Sequence, residues 1–264
     1  MSKNGPARQQ YEHSLTDDFW RGIKRCRRAS RRTLHLSDSF EVAAANSDGG
    51  AIDYDRSPSA GAFMVERRIR MAKFPHTKSF DTFDFAAQPS LNKALVLELA
   101  RSEWIEQRRN VIALGPSGTG KTHAALALGL AACQKNHSVA FTTAAALVHD
   151  LMEARDERRL RSLQKHLASV KLLILDELGY VPFTAVGGEL LFEVLSQRYE
   201  RGSTLITSNL PFDEWTSVFG SERLTGALLD RLTHHVHILE MNGESFRLAS
   251  SRKRQKAKGD YNMT

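Results

Sequence analysis

From residue 111 onward, short apolar runs alternate with longer stretches whose apolar residues recur at helical spacing. VIAL (111–114), SVAFTT (138–143), KLLILDE (171–177), STLITSN (203–209) and HVHILEM (235–241) read as strands. Helices are predicted between them, over about 120–134, 144–168, 187–201, 212–219 and 222–233. Upstream, Ser90 is placed to cap a helix whose apolar positions are Leu91, Ala94, Leu95, Leu97, Leu99, Trp104 and Ile105. Strands alternating with helices predict an α/β fold with a parallel sheet covered on both faces. No internal repeat interrupts the series.

Ahead of this series the pattern is lost. NSDGGAIDYDRSPSAG (46–61) is rich in turn formers and has no apolar period. Residues 1–63 are therefore expected to be an atypical, poorly structured N-terminal extension. Within it, KRCRRASRR (24–32) reads as a solvated basic run, with phosphate contact as the other reading. Regular structure is expected from Met64, giving a catalytic domain over 64–248 and a basic tail over 249–264.

Composition narrows the class. Of the 264 residues, 41% are hydrophobic and 25% charged, which is ordinary globular usage. Mean hydropathy is −0.38 and no apolar run approaches the length of a membrane span, so no membrane association is expected. MSKNGPARQQ has no apolar core behind its basic residues and does not read as a secretory signal. Cys26 and Cys133, far apart, suit a reduced cytoplasmic chain better than a disulfide or metal cluster. Net charge is +7. Residues 1–63 hold 10 basic and 8 acidic side chains, so most of the excess lies further on, at 67–78 and 247–258. These stretches suit the phosphate backbone of double-stranded DNA and show no base-reading design.

The strongest chemical signal is GPSGTGKT, residues 115–122, between a strand and a helix. It fits the phosphate-binding loop G-x-x-x-x-G-K-[ST]. Gly115, Pro116, Ser117, Gly118, Thr119 and Gly120 form a tight turn whose N–H groups converge on phosphates at a helix N-terminus. Lys121 is then placed to reach the β- and γ-phosphates of ATP, and the Thr122 hydroxyl to ligate Mg²⁺. A second motif, LLILDE (172–177), ends an apolar strand in two carboxylates. Side chains of neighbouring residues diverge at a strand end, so Asp176 is assigned to Mg²⁺ and Glu177 to polarising the attacking water. That pair favours hydrolysis over transfer to a substrate hydroxyl, which argues against a small-molecule kinase.

Further candidates follow. TSN (207–209) closes the next strand and offers Asn209 to orient the water, or Ser208 and Asn209 to cap a turn. SERLTGALLDRL (221–232) carries Arg223 and Arg231, candidates for a finger that stabilises charge on the transferring phosphoryl group, Arg231 being preferred. A salt bridge is the competing reading. His234, His235 and His237 cluster at the last strand, and with no matching Cys or carboxylate set apparent they read as surface and edge histidines. The mixed charges of MEARDERRLRSLQKH (152–166) suit a solvated face, with a DNA contact as the alternative.

Taken together, GPSGTGKT, LLILDELGYVP, TSNLPFDEW and GSERLTGALLDRLTHH closely resemble the IstB-like ATPases. These are helpers of bacterial insertion-sequence transposition, related to the DnaC helicase loaders within the AAA+ superfamily. The resemblance covers Met64 to Leu248. It implies an AAA+ P-loop core with strand order 5-1-4-3-2, and an ATPase in the bacterial cytoplasm. It also implies an ATP-dependent homo-oligomer that assembles on DNA and recruits or regulates a partner transposase. Within that pattern residues 115–122 become Walker A, Asp176 and Glu177 Walker B, Asn209 sensor I, and Arg231 or Arg223 a finger acting in trans. The segment Phe80–Phe85 resembles the part lying beside the adenine. Residues 1–63 depart from the pattern, lacking the period and apolar content of the family's small helical N-terminal domain, as in a divergent, rearranged or frame-shifted segment. A replicative helicase loader and a defective nucleotide-binding remnant are the competing identities.

Overall fold

A computed structural model of the chain describes residues 60–248 and Ser251. The chain divides into two units, Met1–Ser57 and Pro58–Thr264, and every described residue lies in the second. The expectations for residues 1–59, with Cys26 and the basic run 24–32, lie outside the described residues, as do those for most of the tail beyond Leu248. Among the described residues, helix α1 (Ala60–Met71) already covers positions ahead of Met64.

A five-stranded parallel sheet organises the described residues. Its strands are β1 (Asn110–Leu114), β2 (Val139–Thr143), β3 (Leu172–Leu178), β4 (Ser203–Ser208) and β5 (Val236–Glu240). They lie in the order β2-β3-β4-β1-β5, the order implied by the AAA+ resemblance, read from the other edge. Registers such as Val111↔Leu205, Ala113↔Leu239 and Ile174↔Leu205 put the apolar centres of the strands side by side. All six residues of β4 are buried, as are all of β3 except Glu177. Burial on both faces explains why these runs are continuously apolar instead of alternating.

Helices cover the two faces. On one lies α4 (Lys121–Gln134), eleven of whose residues are buried, so it shows no single apolar stripe. Gly129 lets it approach β3, because a Cβ there would sit 2.6 Å from Ile174 Cδ1. On the other face Leu173, Leu175, Ile112 and Ile206 join a cluster with residues of α5 (Ala144–Asp156), α6 (Leu160–Ser169), α7 (Ala185–Arg198), α8 (Trp215–Phe219) and α9 (Glu222–Thr233). No helix among the described residues is long and apolar enough to cross a membrane.

Three local expectations are corrected. The helix expected after Ser90 is two pieces, α2 (Lys93–Leu99) and α3 (Glu103–Glu106), separated at Ser102, whose φ is 66°. Asn92 caps α2 by accepting from Leu95 N, while Ser90 Oγ instead donates to Glu240 O and accepts from Asn242 N. The single helix expected over 144–168 breaks between α5 and α6, at Arg158 (φ 59°). Leu147, Leu151 and Ala154 carry the buried face of α5, and continuing that face would bring Arg158 and Arg161 into the core. The break resets the phase so that Leu167 is buried instead.

Arg198 is a buried polar element that the sequence pattern does not reveal. It is 1% exposed at the end of α7. Its guanidinium donates to Leu167 O, Val170 O (3.1 Å), Ser203 O (2.6 Å) and Thr204 Oγ1 (3.2 Å), joining α6 to the start of β4. Burial lowers its pKa to about 10, which leaves it charged at neutral pH.

Candidate nucleotide site

The site forms at the C-terminal ends of β1, β3 and β4, where an open parallel sheet binds ligands. After β1 the chain reverses through residues 115–120. Gly115 has φ 145°, and a Cβ on it would lie 2.2 Å from Met241 O, so the turn demands glycine. Gly120 (φ 95°) is the N-cap of α4, which starts at Lys121. The loop N–H groups and the helix dipole thus face one place. There a cleft of roughly 340 Å³ opens, within the usual range for small ligands.

The loop residues Ser117, Gly118, Thr119, Gly120, Lys121 and Thr122 line the cleft, together with Glu177, Thr207 and Asn209 from the sheet. Lys121 is 9% exposed. Its Nζ donates to Gly115 O (2.6 Å) and Pro116 O (2.7 Å), a self-contained arrangement that holds the ammonium against the loop. Burial lowers its pKa most, Asp176 opposes that, and Arg247 adds to it.

Asp176 is 3% exposed and sits beneath the cleft. Its Oδ1 accepts from Thr122 Oγ1 at 3.0 Å and from Thr207 Oγ1 at 2.5 Å. Glu177 turns the other way and is exposed in the cleft wall, so the two carboxylates diverge. The divergence has a backbone cause: the β3–β4 register shifts between Leu175 and Leu178, and Glu177 is left-handed at φ 61°. Such a conformation costs about 1–3 kcal/mol in a non-glycine residue and persists only where surrounding contacts hold it. Here Glu177 N donates to Thr207 Oγ1 at 3.0 Å.

Thr207 therefore holds both acidic residues, a role that reading TSN for Asn209 overlooks. Thr207→Val keeps the shape and removes both hydrogen bonds. It is expected to cost about 1.5–3 kcal/mol of stability, as for a bond to a charged group, and to slow ATP turnover. Thr207→Ser should recover both, as urea unfolding and phosphate release would show.

Ser208 caps the following turn, its Oγ donating to Leu210 O and accepting from Leu210 N. Asn209 lines the cleft, and its Oδ1 is buried with no hydrogen-bond partner among the described residues. The Thr122 hydroxyl and the Asp176 carboxylate offer adjacent hard oxygen donors, which fit a hard divalent cation.

Two sequence candidates do not reach this cleft. Arg223 is exposed on α9. Arg231, half-buried, donates from Nη1 to Ala227 O at 2.8 Å and lies 5.1 Å from the centre of the Phe192 ring. Neither lines the cleft of its own chain.

Of the Phe80–Phe85 segment, expected beside the adenine, Phe83 lines the cleft. Phe83 packs edge-on against His123 and belongs to an aromatic cluster with Phe80 and Phe85. His123 Nε2 donates to Ser79 O (2.9 Å), and burial lowers its pKa, which favours the neutral ring. The chain beyond β5 returns over the loop, with Phe246 N donating to Gly118 O at 3.0 Å. Phe246 and Arg247 thereby line the cleft.

Comparisons with known proteins agree with this geometry. The profile of the family described as "IstB-like ATP binding protein" matches residues 61–255. A Bacillus thuringiensis subsp. berliner protein named for ATP binding and insertion sequence IS232 is 41% identical over 185 residues, covering 70% of this chain and 74% of that one. The corresponding protein named for IS21, from Pseudomonas aeruginosa, is 42% identical over 189 residues, covering 72% and 71%. Among solved structures, AMPPCP-bound DnaA from Aquifex aeolicus superposes with a TM-score of 0.54 at 19% identity, over 70% of this chain and 56% of that one. This last likeness, to just over half of a longer chain, concerns the fold. The phosphate loop, the diverging acidic pair and the matched families lead to one assignment: the chain belongs to the IstB-like ATP-binding proteins and is an ATPase with an AAA+ P-loop fold.

Proposed function

We propose that this ATPase is the helper of an insertion-sequence transposition reaction. In its ATP-bound state it assembles as a homo-oligomer on double-stranded DNA and presents that target to a partner transposase. Hydrolysis then resets the assembly. The observation that carries the reading is the convergence of Lys121, Thr122, Glu177 and Asn209 on one cleft, with Asp176 bonded to Thr122 beneath it, in a chain 41% identical to a protein named for an insertion sequence.

Each residue has a distinct task. The loop N–H groups and Lys121 hold the phosphates, the lysine leaving Gly115 O and Pro116 O to do so. Thr122 and Asp176 would hold Mg²⁺, which supplies charge neutralisation between the phosphates. Glu177 polarises the attacking water and Asn209 orients it. Arg231, or Arg223, reaches the cleft of a neighbouring copy as the finger, consistent with neither lining its own. Arg67, Arg70, Lys73 and Lys78 are exposed along and after α1 and suit the DNA backbone.

The test is electron microscopy of the full chain with duplex DNA and a non-hydrolysable ATP analogue, beside DNA-stimulated phosphate release. ATP-dependent assembly on duplex, weakening steeply with salt and indifferent to sequence, is expected. Lys121→Ala should abolish it. A salt-insensitive, sequence-selective footprint would overturn the backbone reading. Unchanged turnover by an assembled Arg231→Ala protein would remove that arginine from the finger role.

A further inference from the structure

At the end of the sheet remote from the nucleotide, the fold supplies the carboxylate that the histidine cluster lacks in the sequence. His234 is the C-cap of α9 and His235 leads into β5. Glu200 lies in the turn between α7 and β4. The order β4-β1-β5 makes these segments neighbours across β1, although 34 residues separate Glu200 from His234. One nitrogen from each histidine and one Glu200 oxygen all lie within 4.8 Å of one another. The two imidazole rings are 4.1 Å apart between centres, and His234 Nδ1 is 4.0 Å from Glu200 Oε1.

We propose that Glu200, His234 and His235 bind a divalent transition-metal cation of the Zn²⁺ class. The donor set decides the class. Two imidazole nitrogens and one carboxylate oxygen match three-ligand zinc sites with an open fourth position, whereas Mg²⁺ prefers oxygen ligands alone. With a single carboxylate, selectivity comes from the nitrogens more than from charge.

The site combines fixed backbones with adjustable side chains. Arg108 Nη1 donates to Glu200 O at 2.8 Å, and Glu200 is held left-handed at φ 55°. Asn110 N donates to His235 O at 2.8 Å, tying that histidine to the start of β1. The side chains of His234 and Glu200 are 51% and 60% exposed, so small rotations can close the remaining gap onto a metal. Tyr199 OH lies 2.9 Å from His234 Nδ1 and competes for that nitrogen until a cation displaces it. A bound ion would fasten the C-terminal end of α9, the helix of Arg223 and Arg231, to the α7–β4 turn.

Zinc titration of the full-length, nucleotide-free protein against a chromophoric chelator tests this. One ion per chain is expected, not displaced by excess Mg²⁺. Glu200→Gln, His234→Ala and His235→Ala should each weaken binding by at least the roughly 10- to 100-fold typical of losing an outer-sphere partner. Tyr199→Phe should retain or tighten it. Glu200→Gln preserves size and hydrogen bonding, so it separates ligand loss from misfolding. No zinc uptake, or uptake unchanged in all three ligand variants, would overturn the proposal.

Discussion

Glu177→Gln is expected to leave ATP binding intact and to lower hydrolysis by roughly 10²–10⁴-fold, the range for loss of a positioned general base. The separation of effects follows from geometry. In the proposed arrangement Lys121 and the loop N–H groups hold phosphates independently of Glu177, whose side chain is exposed in the cleft wall. Glutamine has the same shape and keeps the backbone bond from residue 177 N to Thr207 Oγ1, but cannot take a proton from water. Nucleotide affinity by fluorescence titration and phosphate release at saturating ATP would measure the two effects separately. Wild-type turnover in the variant would move the base elsewhere. Loss of both binding and turnover would make Glu177 part of the cradle.

Arg198→Ala is expected to destabilise the fold by about 3–5 kcal/mol, from orphaned buried carbonyls together with the cavity left by a large side chain. The change leaves three backbone carbonyls, those of Leu167, Val170 and Ser203, without the donor that satisfies them, and opens a cavity between α6 and β4. Arg198→Met fills most of the volume yet restores no hydrogen bond, so it should recover only the packing part. Urea unfolding of the three proteins would resolve the contributions. A loss below about 1 kcal/mol for Arg198→Ala would mean that water satisfies these carbonyls and that the network is dispensable.

These two residues differ in how far their roles could be read in advance. Glu177 follows an apolar run that can be buried on both faces, so its place at a strand end beside the phosphate loop was legible. That its side chain diverges from that of Asp176 is legible as well, because adjacent side chains point differently at a strand end, whereas which of the two is buried is not. The left-handed turn that produces the divergence was not, since nothing in DELG marks φ 61° at the glutamate. Arg198 looks like one more charged residue in a helix tail. Only the return of α6 and β4 around it creates the carbonyl cage.

The same division holds across the molecule. Local and periodic information lies in the residues themselves: continuous apolar runs for buried parallel strands, helical spacing between them, glycines where a tight loop takes positive φ, and the lysine and hydroxyl at a helix start. Those features depend on neighbours in the chain, and they were enough for the fold class and, through the family resemblance, the strand order. Contacts between distant segments needed the folded chain. Thr207 bridging to Asp176, Ser90 drawn to the end of β5, the return of Arg247 over the loop, and Glu200 meeting His234 and His235 each join residues far apart in sequence. No periodicity encodes such meetings, because they follow from which strands lie side by side and how the connecting turns aim their side chains.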